Sequence, residues 1–188
     1  FDFEHLNMRS VDDDNVILAE SFAFIPEGRI DEKTQFEKVN YRELIKTKHV
    51  IPCGDRVIDY SVVEAFILNL EAQYGVQIQA IGYDRWNALS TAQKLESAGY
   101  NMVEVRQHSS VLHPPTKLLK EKILNKEFKY EKNALLEINF QNARCVYDTN
   151  KNQYVNKKKS NGKVDMVVSL INAVYLLQQD YLLNQMDF

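Results

Sequence analysis

Residues 77–90, "QIQAIGYDRWNALS", place a carboxylate where a hydrophobic strand gives way to a helix. Ile78, Ala80 and Ile81 indicate a buried strand, and a helix-like segment follows Asp84. In open α/β sheets, ligands bind outside the carboxyl ends of the strands. Asp84 is therefore a candidate functional acid at such a rim, although an aspartate at the end of a strand is more often an ordinary turn residue.

The composition of the chain excludes several classes of protein. Its 188 residues are enough for one domain with a substantial core, or at most two small ones. The net charge of −3 indicates neither a globally basic nucleic-acid-binding protein nor a disordered acidic tail. Cys53 and Cys145 lack metal-binding spacing, which favours a reducing compartment and disfavours a zinc site. The longest apolar run, residues 166–177, is too short to span a bilayer, so no membrane association is expected.

Patterns typical of strands and helices alternate along the chain. Strands are predicted as a pair in residues 2–28 joined by the turn at 12–15, and singly in 76–84 and 100–107. Helices are predicted in residues 35–50, 61–75, 87–99, 116–128 and 165–184, with a loop at 51–60. Residues 134–159 are predicted to contain an irregular segment, a strand and a hairpin. Strands that lead into helices of this length favour an α/β domain with a mixed sheet.

Local signals predict where the helix at 61–75 begins and ends. Ser61, with Glu64 three residues later, is typical of a capping box, in which the two residues satisfy each other's backbone N–H groups. Gly75 predicts the C-terminal end, because glycine readily takes the left-handed conformation found there.

A second acid, Asp165, begins a long apolar helix in "GKVDMVVSLINA". The helix dipole favours a carboxylate near its N-terminus by about 0.3–1 kcal/mol at exposed sites. Ser169 and Asn172 follow at i+4 and i+7 and share a face with Asp165. Two interpretations stay open: a functional polar face, or a simple helix cap with Ser169 and Asn172 turned to solvent.

A basic stretch lies just before Asp165. Its members are Lys157, Lys158, Lys159 and Lys163. Lysines of this kind can neutralise the phosphates of DNA without reading bases. The alternative is an ordinary solvated hairpin tip, and the sequence does not decide between the two.

Other polar and aromatic residues receive structural interpretations. Trp86 is predicted to pack in the core, and His113, next to two prolines, is predicted to lie in a turn. Residues 106–108 are predicted to form a surface loop, although they could approach a phosphate. The run Asp12–Asp14 suggests a metal cluster, but neighbouring turn residues point apart, which favours a solvated loop.

An ordered set of short motifs resembles the C-terminal nuclease domain of the large subunit of tailed-phage terminases. The motifs are "FAFIPEGRI" at 22–30, "DYSVVEAFILNL" at 59–70, "GYDRW" at 82–86, "EVRQ" at 104–107 and "GKVDMVVSLINA" at 162–173. The similarity runs over nearly all of the chain, so residues 1–188 are expected to form a single terminase-type nuclease domain. The fold that the resemblance implies is ribonuclease H-like, with a central mixed β-sheet flanked by helices.

The implied activity is metal-dependent endonucleolytic cleavage of concatemeric viral double-stranded DNA during genome packaging. The resemblance assigns Asp84 and Asp165 as catalytic residues and as ligands of two divalent ions, Mg²⁺ or Mn²⁺. Two such ions can activate water and stabilise charge on the phosphate and the leaving oxygen. Hard divalent ions prefer oxygen ligands such as these carboxylates.

The family also implies partners beyond this chain. These are double-stranded DNA, an N-terminal packaging ATPase domain of the same parent chain, the portal and the small terminase subunit, in the host cell cytoplasm. The sequence contains "NGKVD" but no complete phosphate-binding loop of the G-x-x-x-x-G-K-[ST] type. We therefore expect no ATP binding by this domain.

One part of the family pattern is not clear in this sequence. The family carries another acid on its first strand, and we expect that acid to lie upstream of Phe1, in a longer parent chain. The alternative alignment makes "FDF" the first strand and Asp2 the ligand. Other functions therefore stay open: a non-catalytic ribonuclease H-like module that docks on DNA or the portal, or another nuclease of this fold, such as a junction resolvase.

Overall fold

The computed structural model describes residues 5–11 and 16–186, in which strands and helices alternate. The strands are β1 (His5–Val11), β2 (Ile17–Ile25), β3 (Val50–Pro52), β4 (Ile81–Tyr83), β5 (Met102–Glu104), β6 (Phe128–Tyr130), β7 (Cys145–Tyr147) and β8 (Gln153–Val155). The helices are α1 (Ile30–Glu37), α2 (Tyr41–Lys46), α3 (Tyr60–Tyr74), α4 (Arg85–Ser97), α5 (Ser109–Leu124), α6 (Ala134–Asn142) and α7 (Asp165–Met186). None of the helices in these residues has both the length and the hydrophobicity that crossing a membrane requires.

The strands of the described residues pair in three groups. In the largest group, β2 is hydrogen-bonded to β1, β3 and β6, and its pairing with β3 and with β6 is parallel. Strands β4 and β5 form a parallel pair, and β7 and β8 form an antiparallel hairpin. The predicted α/β class is confirmed, as are the two strands predicted in residues 2–28. The turn predicted at 12–15 lies outside the described residues.

The chain divides into two compact units. The first unit consists mainly of Phe22–Glu104, and the second consists mainly of Asn7–Ser21 with Val105–Phe188. Strand β2 contributes its last residues to the first unit and its earlier residues to the second. Each unit has its own buried apolar cluster.

The core of the first unit is built on the parallel pair of β2 and β3 and on helices α3 and α4. The ring of Phe66 on α3 makes edge contacts with the rings of Phe22 and Phe24, with centroids 5.1 and 5.5 Å apart. Such pairs add about 0.5–1.5 kcal/mol beyond the burial of their area. The buried members of the cluster are Phe24, Cys53, Ile58, Val63, Ile67, Ala88 and Leu95.

The core of the second unit is built around α7, which packs against α5 and α6. Its buried members are Ile17, Ala19, Val105, Leu112, Leu119, Val167, Leu170, Ile171 and Val174. Four of these residues, Val167, Leu170, Ile171 and Val174, come from α7. Residues separated by three or four positions lie on the same face of a helix, so these four form its buried face. The helix predicted at 165–184 is confirmed, and this burial holds its first turns in place.

The single helix predicted at 35–50 is wrong. Helix α1 ends at Glu37, Lys38 takes a left-handed conformation with φ of 58°, and α2 begins at Tyr41. The side chain of Asn40 caps α2 by accepting a hydrogen bond from Glu43 N at 3.2 Å. The polar cap and the left-handed residue divide a segment whose apolar spacing alone favoured one helix.

The capping box predicted at Ser61 is also wrong, although Gly75 ends α3 with φ of 63° as predicted. The N-cap is Asp59, whose Oδ1 accepts from Ser61 N at 3.0 Å and from Ser61 Oγ at 2.6 Å. These hydrogen bonds lower the pKa of Asp59. Glu64 is consequently left for a tertiary contact with α4.

Helix α6 replaces the irregular segment predicted at the start of residues 134–159. Asn133, which is buried, caps it with Oδ1 by accepting from Leu135 N and Leu136 N at 3.1 and 3.2 Å. Its Nδ2 donates to Ser21 O at 2.8 Å. One buried side chain therefore starts the helix and ties it to β2, and this tie is not visible in the local sequence.

Helix α5 begins earlier than predicted, and it includes the prolines that were expected to precede it. His108 is the N-cap, and its Nδ1 accepts from Ser110 N at 3.3 Å. Pro114 and Pro115 lie inside the helix. The prediction that His113 lies in a turn is therefore wrong.

Two short strands, β3 and β6, were not predicted. Strand β3 overlaps the last residue of the helix predicted at 35–50 and the first two residues of the loop predicted at 51–60, and β6 follows α5. Each has three residues and is defined by its parallel pairing with β2. Because that pairing joins residues far apart in the sequence, a local pattern gives little indication of it.

Candidate active-site carboxylates

Asp84 lies directly after β4, at the carboxyl end of the parallel β4–β5 pair. It is the N-cap of α4, and its Oδ1 accepts a hydrogen bond from Trp86 N at 3.3 Å. The side chain is partly exposed. The predicted position at a strand end is confirmed, and the same residue also performs the structural role of a helix cap.

A polar cluster fixes α4, and with it Asp84, to α3. Glu64 Oε1 accepts from Thr91 Oγ1 at 3.0 Å and from Lys94 Nζ at 3.2 Å. The Glu64 side chain is only 14% exposed, and Thr91 is buried. Trp86 is 77% exposed, so its predicted place in the core is wrong. Ala88, two residues further along α4, supplies the buried contact instead.

Asp165 is the first residue of α7, as predicted. The next backbone N–H, that of Met166, donates to Asn139 Oδ1 at 3.1 Å, and Asn139 is only 2% exposed. Asn139 Nδ2 in turn donates to Leu135 O at 2.9 Å. Helix α6 therefore supplies the hydrogen-bond acceptor that the start of α7 needs, and this contact fixes the backbone beside Asp165.

The carboxylate of Asp165 forms an ion pair with Lys157. Lys157 Nζ lies 3.0 Å from Asp165 Oδ1, and the two side chains are 40% and 13% exposed, respectively. Lys157 thus has an acidic partner at the start of α7, whereas Lys158, Lys159 and Lys163 lie on the exposed surface. The four lysines that the sequence grouped together therefore have at least two different environments.

Asn172, one turn beyond Ser169 on α7, does not face solvent. It is buried, and its Oδ1 accepts from Gln107 Nε2 at 3.1 Å. The same Gln107 nitrogen donates to Val105 O at 3.0 Å. The interpretation with Asn172 in solvent is therefore wrong. Gln107 joins the loop after β5 to α7, a role that its surface-loop pattern did not indicate.

The hairpin expected near the lysines is β7–β8, and the lysines follow it. Its turn is organised by Asp148, which accepts from Ser109 Oγ at 2.6 Å, Asn150 N at 2.8 Å, and both Asn152 N and Nδ2 at 2.9 Å. The hydrogen bonds hold the pKa of Asp148 well below its usual range, that from Ser109 contributing most. Lys157–Lys159 lie in the connection between β8 and α7.

His113 also holds the hairpin to α5. Its Nδ1 accepts a hydrogen bond from Gln153 N, the first residue of β8, at 2.8 Å. An acceptor Nδ1 requires the ring tautomer that carries its proton on Nε2. The histidine predicted as a turn residue is therefore part of the link between the helix and the hairpin.

The candidate acids fit a hard divalent ion in the type of atom they offer. Asp84 and Asp165 each present carboxylate oxygens, and Mg²⁺ commonly takes one or two carboxylates and completes its shell with water and phosphate. Within residues 5–11 and 16–186, no group of three or more His, Cys, Asp or Glu side chains could hold a metal ion. Asp2 and Asp12–Asp14 lie outside the described residues.

Comparison with known proteins agrees with the motifs. The family model for the terminase large subunit, endonuclease domain, matches residues 6–180. The chain belongs to this terminase endonuclease domain family. A terminase large subunit of Enterobacteria phage HK97 is 23% identical over 164 residues, which cover 86% of this chain and 32% of that protein. The terminase domain described here therefore spans about a third of the length of that relative.

Solved structures show the same fold. The crystal structure of the HK97 bacteriophage large terminase superposes with a TM-score of 0.83 at 22% identity, over 92% of this chain and 36% of that one. The large terminase nuclease from thermophilic phage G20c gives 0.50 at 21% identity, over 63% and 62% of the two chains. The predicted ribonuclease H-like fold of terminase nuclease domains is confirmed.

Proposed function

We propose that residues 1–188 form one terminase nuclease domain that cuts concatemeric viral double-stranded DNA during packaging, with Asp84 and Asp165 as its catalytic acids. One observation chiefly supports these assignments. Each acid stands at the start of a helix that side chains from another helix hold in place: Glu64 on α3 for α4, and Asn139 on α6 for α7. A carboxylate on a fixed helix end has a defined position, which metal-dependent chemistry requires.

In the proposed mechanism, Asp84 and Asp165 would hold two divalent ions, Mg²⁺ or Mn²⁺. When bound, these ions lower the pKa of water and stabilise charge at the phosphate. The chain contributes carboxylate oxygens on anchored helix ends. The N–H groups of the first turn of α7 add a favourable field for the negative charge of Asp165.

The exposed lysines Lys158, Lys159 and Lys163 are proposed to contact the DNA backbone. Because phosphate contacts carry no direct base information, they would add affinity without sequence preference. Alanine at Lys158 and Lys159 should weaken binding to unrelated duplexes equally. It should also reduce the slope of log affinity against log salt by about 0.9 for each phosphate that is no longer neutralised. An unchanged slope would show that these lysines are only solvated and contact no phosphate.

The proposed partners follow from the family rather than from this chain alone. They are the packaging ATPase domain of the same parent chain, the portal and the small terminase subunit, in the host cell cytoplasm. ATP is not proposed as a ligand of this domain.

The test is cleavage of supercoiled plasmid by the purified protein in Mn²⁺ or Mg²⁺, with chelator as the blank. Asp84→Asn and Asp165→Asn should each lower the cleavage rate by at least about a hundredfold, because each removes a charged metal ligand. Glu121→Gln, on the exposed surface of α5, is the control and should cut at the parent rate. Full activity in both aspartate variants would refute the assignment, provided that circular dichroism shows all of them folded.

A further inference from the structure

The ion pair between Lys157 and Asp165 distinguishes Lys157 from its neighbours. Its ammonium lies 3.0 Å from Asp165 Oδ1, one of the atoms that the proposed function offers to a divalent ion. An ammonium and a metal ion both need that oxygen as a partner. A Lys157 that serves only to contact DNA would not need this placement.

Burial makes the pairing consequential for Asp165. Its side chain is only 13% exposed, so a carboxylate without a counter-charge at this position would lose much of its hydration. Removing one partner of a poorly solvated ion pair leaves the other charge uncompensated, which is destabilising. In the absence of metal, Lys157 supplies positive charge where the divalent ion would otherwise supply it.

The surroundings of Lys157 allow the side chain to move while the main chain stays in place. The segment after it is fixed by Asn156, whose Oδ1 accepts from Lys159 N at 3.1 Å and whose main-chain oxygen accepts from Ser160 Oγ at 2.8 Å. Ser160 Oγ also accepts from Arg144 N at 3.1 Å. The Lys157 side chain, by contrast, is 40% exposed. A flexible four-carbon chain can therefore turn its ammonium toward water without unfolding the connection.

We infer that Lys157 is a positioning residue that occupies the cation's place at Asp165 and leaves when a divalent ion binds. This inference rests on the proposed role of Asp165 as a metal ligand. Lys157 keeps the carboxylate paired and oriented in the metal-free protein, and it competes with the incoming ion. It thereby sets the concentration of divalent ion at which the site fills.

The competition predicts two effects of opposite sign in one variant. Lys157→Met keeps the apolar stem and removes the charge. The metal-free variant should melt at a lower temperature than the parent, because Asp165 loses the ammonium of Lys157. The same variant should bind Mn²⁺ about three- to tenfold more tightly, because no ammonium has to be displaced.

The test measures Mn²⁺ binding from the electron paramagnetic resonance signal of free Mn²⁺, and melting temperatures in chelator and in Mn²⁺. Lys158→Met is the matched control, since it removes a neighbouring positive charge from an exposed side chain. It should change neither quantity by as much as Lys157→Met. Lys157→Arg should restore melting in chelator and bind Mn²⁺ more weakly than Lys157→Met, because a guanidinium still pairs with the carboxylate.

The outcomes separate this inference from the function on which it rests. If Asp165→Asn leaves Mn²⁺ binding unchanged, the proposed role of Asp165 as a ligand is wrong. If Asp165→Asn weakens binding but Lys157→Met binds Mn²⁺ as the parent does, or less tightly, only the inference about Lys157 is overturned. Equal tightening in Lys158→Met would also overturn it, since the effect would then be one of general charge. If Lys157→Met does not fold, Lys157→Arg is compared with the parent instead. A higher affinity for Mn²⁺ in Lys157→Arg than in the parent would then refute the competition.

Discussion

Asp84 and Asp165 both begin helices, but their carboxylates are held in different ways. Asp84 caps its own helix through Trp86 N, two residues away, and in the described part of the chain no lysine or arginine pairs with it. Asp165 is paired with Lys157, and the helix that it begins receives a hydrogen-bond acceptor from Asn139, 27 residues before Met166. Both helices are held by another helix, but the Asp84 carboxylate itself has a local partner, whereas the Asp165 carboxylate and the first N–H after it have partners from outside their helix.

This difference has a consequence for stability. A local cap contributes about 1 kcal/mol and can be replaced by another short polar side chain. A buried amide that serves a helix from elsewhere in the fold has no such replacement, because its loss removes a hydrogen-bond acceptor from an N–H in the interior. The two acids should therefore respond differently when their supporting residues are changed.

The largest expected loss of stability follows from changing Asn139, whose side chain supports the start of the helix that Asp165 begins. Asn139→Ala should lower the free energy of unfolding by about 2–3 kcal/mol, because Met166 N loses its buried acceptor and a small cavity remains. Urea unfolding followed by circular dichroism measures this. Gln141→Ala, on the exposed side of the same helix, is the control and should stay within about 0.5 kcal/mol of the parent. Equal losses in the two variants would show that α7 does not depend on this amide.

A smaller loss of stability is expected from changing Glu64, whose side chain fixes the helix that Asp84 caps. Glu64→Ala should cost about 1–2 kcal/mol, because the buried hydroxyl of Thr91 loses its partner. Lys94→Met removes only the exposed side of the same cluster and should cost less than about 1 kcal/mol. Both values come from thermal or urea unfolding. If Lys94→Met proves as costly as Glu64→Ala, the buried hydroxyl is not what makes the cluster important.

The sequence predicts well what short-range contacts determine. The position of Asp84 after an apolar strand and that of Asp165 at the start of an apolar helix are both confirmed, because each signal lies within a few residues. The buried face of α7 is likewise indicated by the spacing of its apolar residues, Val167, Leu170, Ile171 and Val174. Gly75 was found for the same reason.

The errors occurred where distant residues decide the outcome. Asn133 starts α6 while it holds Ser21 O, and Glu64 was assigned to a capping box because its partner Thr91 lies 27 residues away. Grouping the lysines by charge hid the special position of Lys157, since the i+8 spacing to Asp165 belongs to no regular element. In each case a polar side chain takes a tertiary partner that propensity and periodicity do not encode.

Two substitutions at Asp84 separate its role as a helix cap from the effect of its charge. Asp84→Ala removes the cap of α4 and should lower the free energy of unfolding by about 1 kcal/mol. Asp84→Asn should cost only a few tenths, because asparagine caps helices about as well as aspartate. Melting temperatures of the two variants distinguish the two roles of Asp84. Asparagine retains the ability to cap the helix, but it does not carry the negative charge. Equal destabilisation by both substitutions would mean that the charge, not the cap, stabilises α4.

A third carboxylate has a like charge as its neighbour instead of a helix end or a lysine. Glu20 lies on β2, and Glu131 follows β6, where Glu131 N donates to Ala19 O at 3.2 Å. Burial raises the pKa of Glu20, and repulsion from Glu131 and a hydrogen bond with it raise that pKa further. The protonated form of Glu20 is thus the one that the fold favours.

The smallest expected effect is therefore a dependence on pH at Glu20. Because its pKa is raised in the folded state, its protonated form contributes stability below the unfolded value near 4.5, and this contribution is lost as pH rises through the folded value. Glu20→Gln keeps the shape without the charge, so it should melt above the parent at pH 7 and approach it at pH 4. Calorimetry across this range measures the difference, with Glu121→Gln as a control for loss of the same charge from an open surface. A melting difference at Glu20 that does not change with pH would show that Glu131 imposes no charge penalty on the sheet.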